Sequence, residues 1–266
     1  MEISLDFGGS TIDAVFWEGD RILKVETFEA CDVEVADLSR FANDDVSKIY
    51  VTGGKSRFFT EEVFGIPVIK VSEIDAIGRG GTWRMADGKW LVVSMGTGTC
   101  IVSVDCRQDV VDCKHVGGTG IGGGTFLALA RELLGISDLD EILRIGAKGS
   151  SQKVDLSVED IVGGGIGRIA ADSTASNLGR LAREIDFDDE DLAAGLINLI
   201  GQTIGSAAVF AAQAEKVSQI VLIGKLTKAK AVTDIIKRIA EAYDFEVFIP
   251  DNANFASAIG AKFARM

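Results

Sequence analysis

Two short glycine-bearing turns carry the residue types that handle phosphate. The first runs from Asp6 through Gly8, Gly9, Ser10 and Thr11, and the second is Gly96, Thr97, Gly98 and Thr99. Glycine lets a backbone turn tightly and approach an anion, and turn N–H groups with neighbouring hydroxyls donate to phosphate oxygens. A carboxylate at Asp6 is of the type that holds Mg²⁺, directly or through water, since that ion takes oxygen ligands and keeps several waters. Either turn alone reads equally well as an ordinary hairpin. As a pair, each closing one strand and opening the next, they suit the β- and γ-phosphates of a nucleotide gripped from both sides. The P-loop pattern G-x-x-x-x-G-K-[ST] is absent, and the G-x-G-x-x-G spacing over Gly118, Gly120 and Gly123 lacks the short βαβ setting of a dinucleotide site.

Three further groups join them. Gly122, Gly123 and Gly124 open an expected helix. A helix N-terminus offers unpaired N–H groups to an anion, the plainer alternative being a flexible entry with close helix packing. Glu73 follows a strand end, where a carboxylate can take a hydroxyl proton as general base; Asp75 reads equally as a helix N-cap. His115, the one histidine, is expected to face the same cleft from a strand end, with a solvent-exposed imidazole as the alternative.

These residues need strands that end together. Alternation and turn signals predict strands at 2–6, 11–17 and 21–28, a three-stranded meander. Helix is expected at 33–42, strand at 48–51, helix at 56–64, strand at 68–71 and helix at 75–85. A second cycle opens with strands at 91–94, 100–105 and 110–115, with Gly117 and Gly118 in the turn that follows. A helix at 125–134, a helix-rich stretch, a strand at 219–223, a helix at 227–242, a strand at 245–249 and a helix at 254–264 complete it. The repetition of meander, glycine turn and αβαβ tail is a weak internal repeat. It predicts an α/β protein of two related lobes, residues 1–88 and 89–266, with a cleft between them.

Composition narrows the partners. The chain has 266 residues, 47% hydrophobic and 25% charged, an ordinary globular balance. Its net charge of −13 excludes general attraction to nucleic acid or anionic lipid. Cys31, Cys100, Cys106 and Cys113 show no C-x-x-C pairing, which argues for reduced thiols in a cytoplasmic core rather than a zinc site. Residues 192–214 carry no charge and contain Gly201 and Gly205 at helix-contact spacing. Asn198, Gln202, Thr203, Ser206 and Gln213 within it favour a buried core helix over a membrane span.

The doubled meander with its two turns resembles the actin, hexokinase and heat-shock chaperone superfamily, the actin-like ATPase (ribonuclease H-like) fold. More narrowly, the chain resembles type II pantothenate kinases. The likeness runs through Asp6–Ser10, Val51–Gly54, Glu73–Ala76, Gly96–Thr99, Val116–Phe126, Asp172–Gly179, Val221–Gly224 and Asn252–Ala261. It implies Mg²⁺-dependent phosphorylation of the pantothenate hydroxyl by ATP, at the start of coenzyme A synthesis, by a homodimer. It implies that Glu73 is the catalytic carboxylate, that Asp6 serves the metal and that Glu73, Thr99 and His115 meet the substrate. Gly8, Gly9, Ser10, Thr11, Gly96, Thr97, Gly98, Thr99, Gly122, Gly123 and Gly124 then bind the nucleotide phosphates, and Gly224 lies near the adenosine. Three positions depart from the family: Asp13 stands where Lys is usual, His115 where Arg is usual, and Lys225 where a small residue is usual. A kinase of this fold for another hydroxyl substrate, a nucleotide-binding protein without catalysis and a partner-coupled ATPase are the competing readings.

Overall fold

The computed structural model describes residues 1–29, 38–43, 45–108, 110–167, 170–183 and 186–264. Cys31 and the first part of the expected helix 33–42 lie outside the described residues.

The first sheet contains β1 (Glu2–Phe7), β2 (Thr11–Glu18), β3 (Arg21–Glu29), β4 (Lys48–Thr52), β5 (Glu62–Val63) and β6 (Ile66–Lys70), in the order β3-β2-β1-β4-β6-β5. β1, β2 and β3 are antiparallel neighbours, whereas β4 and β6 continue the sheet in parallel with β1. Side chains alternate across a strand. Ile3, Leu5, Phe7, Ile12 and Ala14 therefore enter one core, while Val15 and Trp17 enter another on the opposite face.

Residues 56–64 correct the expected helix. Only Ser56–Phe58 makes a turn of 3₁₀ helix, and Glu62 and Val63 pair with Pro67 and Ile66 as an edge hairpin. Phe64 and Gly65 both have positive φ, 51° and 78°. A two-residue turn of that kind matches strand twist and holds a hairpin, so hairpin closure overrides local helix preference.

After α1 (Glu73–Gly81) come β7 (Gly88–Met95), β8 (Thr99–Arg107) and β9 (Val110–Thr119). The helix expected at 75–85 thus starts two residues earlier, at Ser72 as N-cap, and stops at Thr82, whose hydroxyl donates to the Gly78 carbonyl. Gly117 and Gly118 lie inside β9 rather than in a turn, paired with Ile101 and Cys100. α2 (Gly123–Leu134) and α3 (Leu139–Gly146) follow. A small pair, β10 (Leu156–Ser157) and β11 (Thr174–Ser176), flanks α4 (Val158–Val162). α5 (Asp189–Glu215), β12 (Gln219–Ile223), α6 (Lys230–Ala242), β13 (Glu246–Phe248) and α7 (Ala256–Phe263) complete the order.

The second sheet runs β13-β12-β7-β8-β9. Read from β9 inwards it repeats β3-β2-β1-β4-β6: three antiparallel strands, then two parallel ones. The internal repeat is therefore real in three dimensions.

Two helices fill the space between the sheets. Ile77 of α1 and Ala256 of α7 pack on the second sheet, and Ala258 and Ile259 of α7 pack on Val15 and Trp17 of the first. A β-carbon on Gly80 would lie 1.8 Å from the Ala256 carbonyl oxygen, and one on Gly260 would lie 1.9 Å from that of Ala76. Only glycine allows such close backbone approach, and it seats α1 at the cleft.

The outer face of the second sheet is covered by α2, α5 and α6 around Phe126, Leu196, Ile200, Ile204 and Ile236. Among the described residues α5 is the helix long and apolar enough to cross a membrane, yet 67% of its most apolar window is buried in this core. Asp188 and Asp191 form a reciprocal capping box at its start. The expected core helix is found.

Candidate functional site

Asp6, Asp13, Thr27 and Thr52 form one row across the first sheet at its cleft end. Asp6 stands directly opposite Asp13 on β2 and Thr52 on β4, and Asp13 stands opposite Thr27 on β3. Like charges directly opposite on a sheet repel. Burial, the Asp13 charge and the Glu73 charge, in that order, push the Asp6 carboxyl up to about 7, against the opposing pull of Lys225 and a hydrogen bond with Ser257. That surplus of negative charge suits a cation.

The first phosphate turn leaves β1 at this row. The Gly8 N–H donates to the Thr11 carbonyl at 3.0 Å and closes the turn, leaving Gly9 and Ser10 exposed. The second turn leaves β7 at the matching end of the other sheet. A β-carbon on Gly9 would be 3.1 Å from the Thr97 hydroxyl oxygen, so the turns meet across the cleft.

The start of α2 supports the second turn. The Gly123 N–H donates to the Gly96 carbonyl at 2.8 Å and the Gly124 N–H to the Thr97 carbonyl at 2.9 Å. Those two amides are thus committed to the turn rather than open to an anion, which corrects their expected direct role. A β-carbon on Gly122 would lie 2.6 Å from the Gly98 carbonyl oxygen, so this glycine too serves close packing. Thr99, 6% exposed, donates its hydroxyl to the Ile121 carbonyl at 2.8 Å and braces the same loop.

A cleft of about 480 Å³ lies between the turns. Asp6, Gly8, Gly9, Glu73, Gly96, Thr97, Gly98 and Thr99 line it together. Glu73, the first residue of α1, is exposed to it. Gly224 ends β12 beside the second turn, where a β-carbon would be 2.6 Å from the Met95 carbonyl oxygen.

His115 is not brought into this group. It is exposed on β9, further back than Thr119, which does line the cleft. A bulge in β9 between the partners of Ile101 and Val102 changes the register just there, so strand alternation could not place the imidazole. The Asp172–Gly179 segment lies elsewhere too. Asp172 and Thr174 line a second groove of about 530 Å³ beside Asn198, Gln202, Arg238 and Tyr243.

Lys55, Cys100 and Ser257 also line the cleft, and the sequence reading gave them no role there. Lys55 directly follows the Thr52–Gly54 turn, and a cation in so acidic a chain was the available signal. Ser257 lies in the Asn252–Ala261 stretch of the family likeness, but no local pattern gave it a role, and α7 brings it to the cleft from the far end of the chain. The Cys100 thiol is pushed up to about 11 by burial and then by the Glu73 charge, so it stays protonated.

Among the described residues no group of three or more His, Cys, Asp or Glu side chains could hold a metal alone. Mg²⁺ needs no such cage, being held by one or two carboxylates together with phosphates and water. Asp6 supplies the carboxylate. The Thr52 hydroxyl oxygen beside it is buried without a partner. The donor set therefore fits a hydrated divalent cation shared with phosphates.

The Fumble family matches residues 89–254. A type II pantothenate kinase of Oceanobacillus iheyensis is 30% identical over 271 residues, 97% of this chain and 97% of that protein. One of Bacillus cereus (strain G9842) is 28% identical over 269 residues, 97% of this chain and 96% of that protein. Among solved structures, the activator of the 2-hydroxyisocaproyl-CoA dehydratase from Clostridium difficile, with bound ADPNP, has a TM-score of 0.66 at 16% identity, covering 98% of this chain and 92% of that one. A ROK family glucokinase from Streptomyces griseus, in complex with glucose and AMPPNP, has a TM-score of 0.61 at 12% identity, covering 98% and 97%. These structural likenesses establish the two-lobed actin-like fold. With its two turns facing each other and Asp6 and Glu73 in one cleft, the chain belongs to the type II pantothenate kinase family.

Proposed function

We propose that the protein phosphorylates pantothenate to 4'-phosphopantothenate with ATP, the opening step of coenzyme A synthesis. The observation that carries this reading is the meeting of Gly9 and Thr97 across a cleft that Asp6 and Glu73 also line. The relatives that share nearly the whole length of the chain support the acceptor.

The chemistry follows from the placement. Phosphoryl transfer passes through a loose transition state, so positioning and charge do most of the work. The first and second turns hold the β- and γ-phosphates through backbone N–H groups and the hydroxyls of Ser10, Thr11 and Thr97. Gly122, Gly123 and Gly124 act through the second turn, and Gly224 borders the adenosine. Glu73 takes the proton from the acceptor hydroxyl as its oxygen bonds to the γ-phosphorus and the bond to ADP breaks. Asp6, with Thr52 beside it, holds Mg²⁺. That ion, when bound, supplies positive charge to the phosphate oxygens. Thr99, which lines the cleft, belongs to the acceptor side.

The setting we infer is a cytoplasmic homodimer without nucleic-acid or membrane partners. A net charge of −13 supports the absence of nucleic-acid and membrane partners, the free Cys100, Cys106 and Cys113 among the described residues support a reducing compartment, and the dimer rests on the family likeness alone.

The test is phosphate transfer from ATP to a panel of small alcohols in the presence of Mg²⁺. Pantothenate should be the preferred acceptor. Transfer to another alcohol alone, or ATP hydrolysis without transfer, would overturn the reading.

A further inference from the structure

Lys225 is a second-lobe residue whose ammonium reaches the first lobe. It starts the short 3₁₀ turn Lys225–Lys228 after Gly224. Its Nζ donates to the Thr11 hydroxyl oxygen and lies 3.3 Å from Asp13 Oδ1. Asp13 is only 7% exposed, and the Thr27 hydroxyl donates to the same Oδ1 at 2.7 Å. The carboxylate is therefore fixed from two sides, and it fixes Lys225 in turn.

The geometry points to Lys225 as the cation that meets the terminal phosphates of the nucleotide at the first turn, with Asp13 as its positioning residue. This rests on the ATP-dependent reading above and adds a residue to it. Thr11 is the last residue of the first phosphate turn, so an ammonium bonded to it stands at the turn's edge. An ammonium has three donors. Thr11 and Asp13 occupy two of them, and the side chain remains 38% exposed. The third donor is available to an oxygen anion.

Charge balance favours the same assignment. Asp6, Asp13 and Glu73 crowd this end of the cleft, and a polyphosphate adds more negative charge. The protein's overall charge of −13 offers no helpful field. Among the described residues the cation lining the cleft is Lys55, while Lys225 is tied to the edge of the first turn, near enough for its charge to act on Asp6. A buried carboxylate needs a partner, which explains why Asp13 requires Lys225, while a half-exposed ion pair adds little stability of its own. The fold makes one ion pair of Asp13 and Lys225, carrying the cation on the second lobe and its anion on the first.

The rival explanation is a tie between lobes that touches no ligand. Binding of ATP and of AMP, followed by calorimetry, separates the two. Lys225→Met should weaken ATP about ten- to a hundred-fold, the worth of one charged hydrogen bond, and leave AMP within about twofold. Lys225→Arg should retain most of the ATP affinity. Asp13→Asn should change ATP affinity in the wild-type background and leave it unchanged in Lys225→Met. Equal losses of ATP and AMP, unchanged ATP binding in Lys225→Met, or an Asp13→Asn effect that is absent or equal in both backgrounds would overturn the assignment. Transfer to pantothenate, measured separately on the wild-type protein, reports on the proposed function. A protein that binds ATP in the expected pattern without transferring phosphate overturns that function and leaves Lys225 in place, and one that binds no ATP overturns both.

Discussion

Gly9 and Thr97 face each other across the cleft, the Thr97 hydroxyl oxygen 3.1 Å from where a Gly9 β-carbon would be. The two phosphate turns come from related lobes, and this contact is where they meet. A side chain on Gly9 fills the space the phosphates need. Gly9→Val should raise the KM for ATP at least about tenfold, roughly 1.4 kcal/mol of lost binding. Gly9 is exposed, so the melting temperature should hold. Thr97→Ala in the same chain should recover part of the loss. A normal KM in Gly9→Val would show that the turns do not enclose the phosphates.

Glu73→Gln keeps the shape of the side chain and removes its basicity. Turnover on pantothenate should fall about 10²- to 10⁴-fold, the usual worth of a general base. The KM for ATP should barely move. Steady-state kinetics check this, and near-normal turnover would remove Glu73 from the chemistry.

Asp6→Asn should abolish turnover, as should excess chelator with the wild-type protein. The same substitution has a second consequence, for stability. In the nucleotide-free protein the Asp6 carboxyl is raised from 3.8 to about 7 by burial and then by Asp13 and Glu73. The folded state thus holds a proton that the unfolded chain has already released. Stability is lost as pH rises from about 4 to about 7, and the loss is complete above that window. Asn cannot ionise. Asp6→Asn should therefore melt higher than wild type at pH 8 without nucleotide or metal, and the gap should close towards pH 4. Thermal melts at the two pH values decide the matter, and a lower melting point at pH 8 would contradict it.

Gly201 and Gly205 let α5 lie against α6. A β-carbon on Gly201 would be 2.8 Å from the Ile235 β-carbon, and one on Gly205 would be 3.0 Å from Ile239 Cδ1. Gly201→Leu should destabilise the fold by about 1–3 kcal/mol or more through overpacking. Gly201→Ala should fail to deliver the ~1 kcal/mol that alanine gains over glycine in an open helix. Urea denaturation measures both. Pairing Gly201→Ala with Ile235→Val should restore part of the difference.

Short-range pattern in the sequence determined the two meanders, the two glycine turns and the buried α5. Each rests on alternation, a turn residue or an apolar run, signals that act within a few residues of the chain. Glu73 was legible for the same reason, because a strand end followed by a helix start places one side chain at a sheet edge. Where local signals competed, tertiary contact decided. Residues 56–64 form an edge hairpin because the Phe64–Gly65 turn pairs Val63 with Ile66. His115 left the cleft group because a bulge in β9 shifts the register. The Gly123 and Gly124 amides turned from a prospective anion to the Gly96 and Thr97 carbonyls because the second turn lies within reach. The row of Asp13, Asp6 and Thr52 depends on pairing between β2, β1 and β4, and Ser257 reaches Asp6 only through the packing of α7. Asp13 and Lys225 are more than two hundred residues apart, so only the closed fold could join them. Read separately, one looked like a lost cation and the other like a stray one. Electrostatic partnership depends on distance through space, and the order of residues along the chain does not encode it.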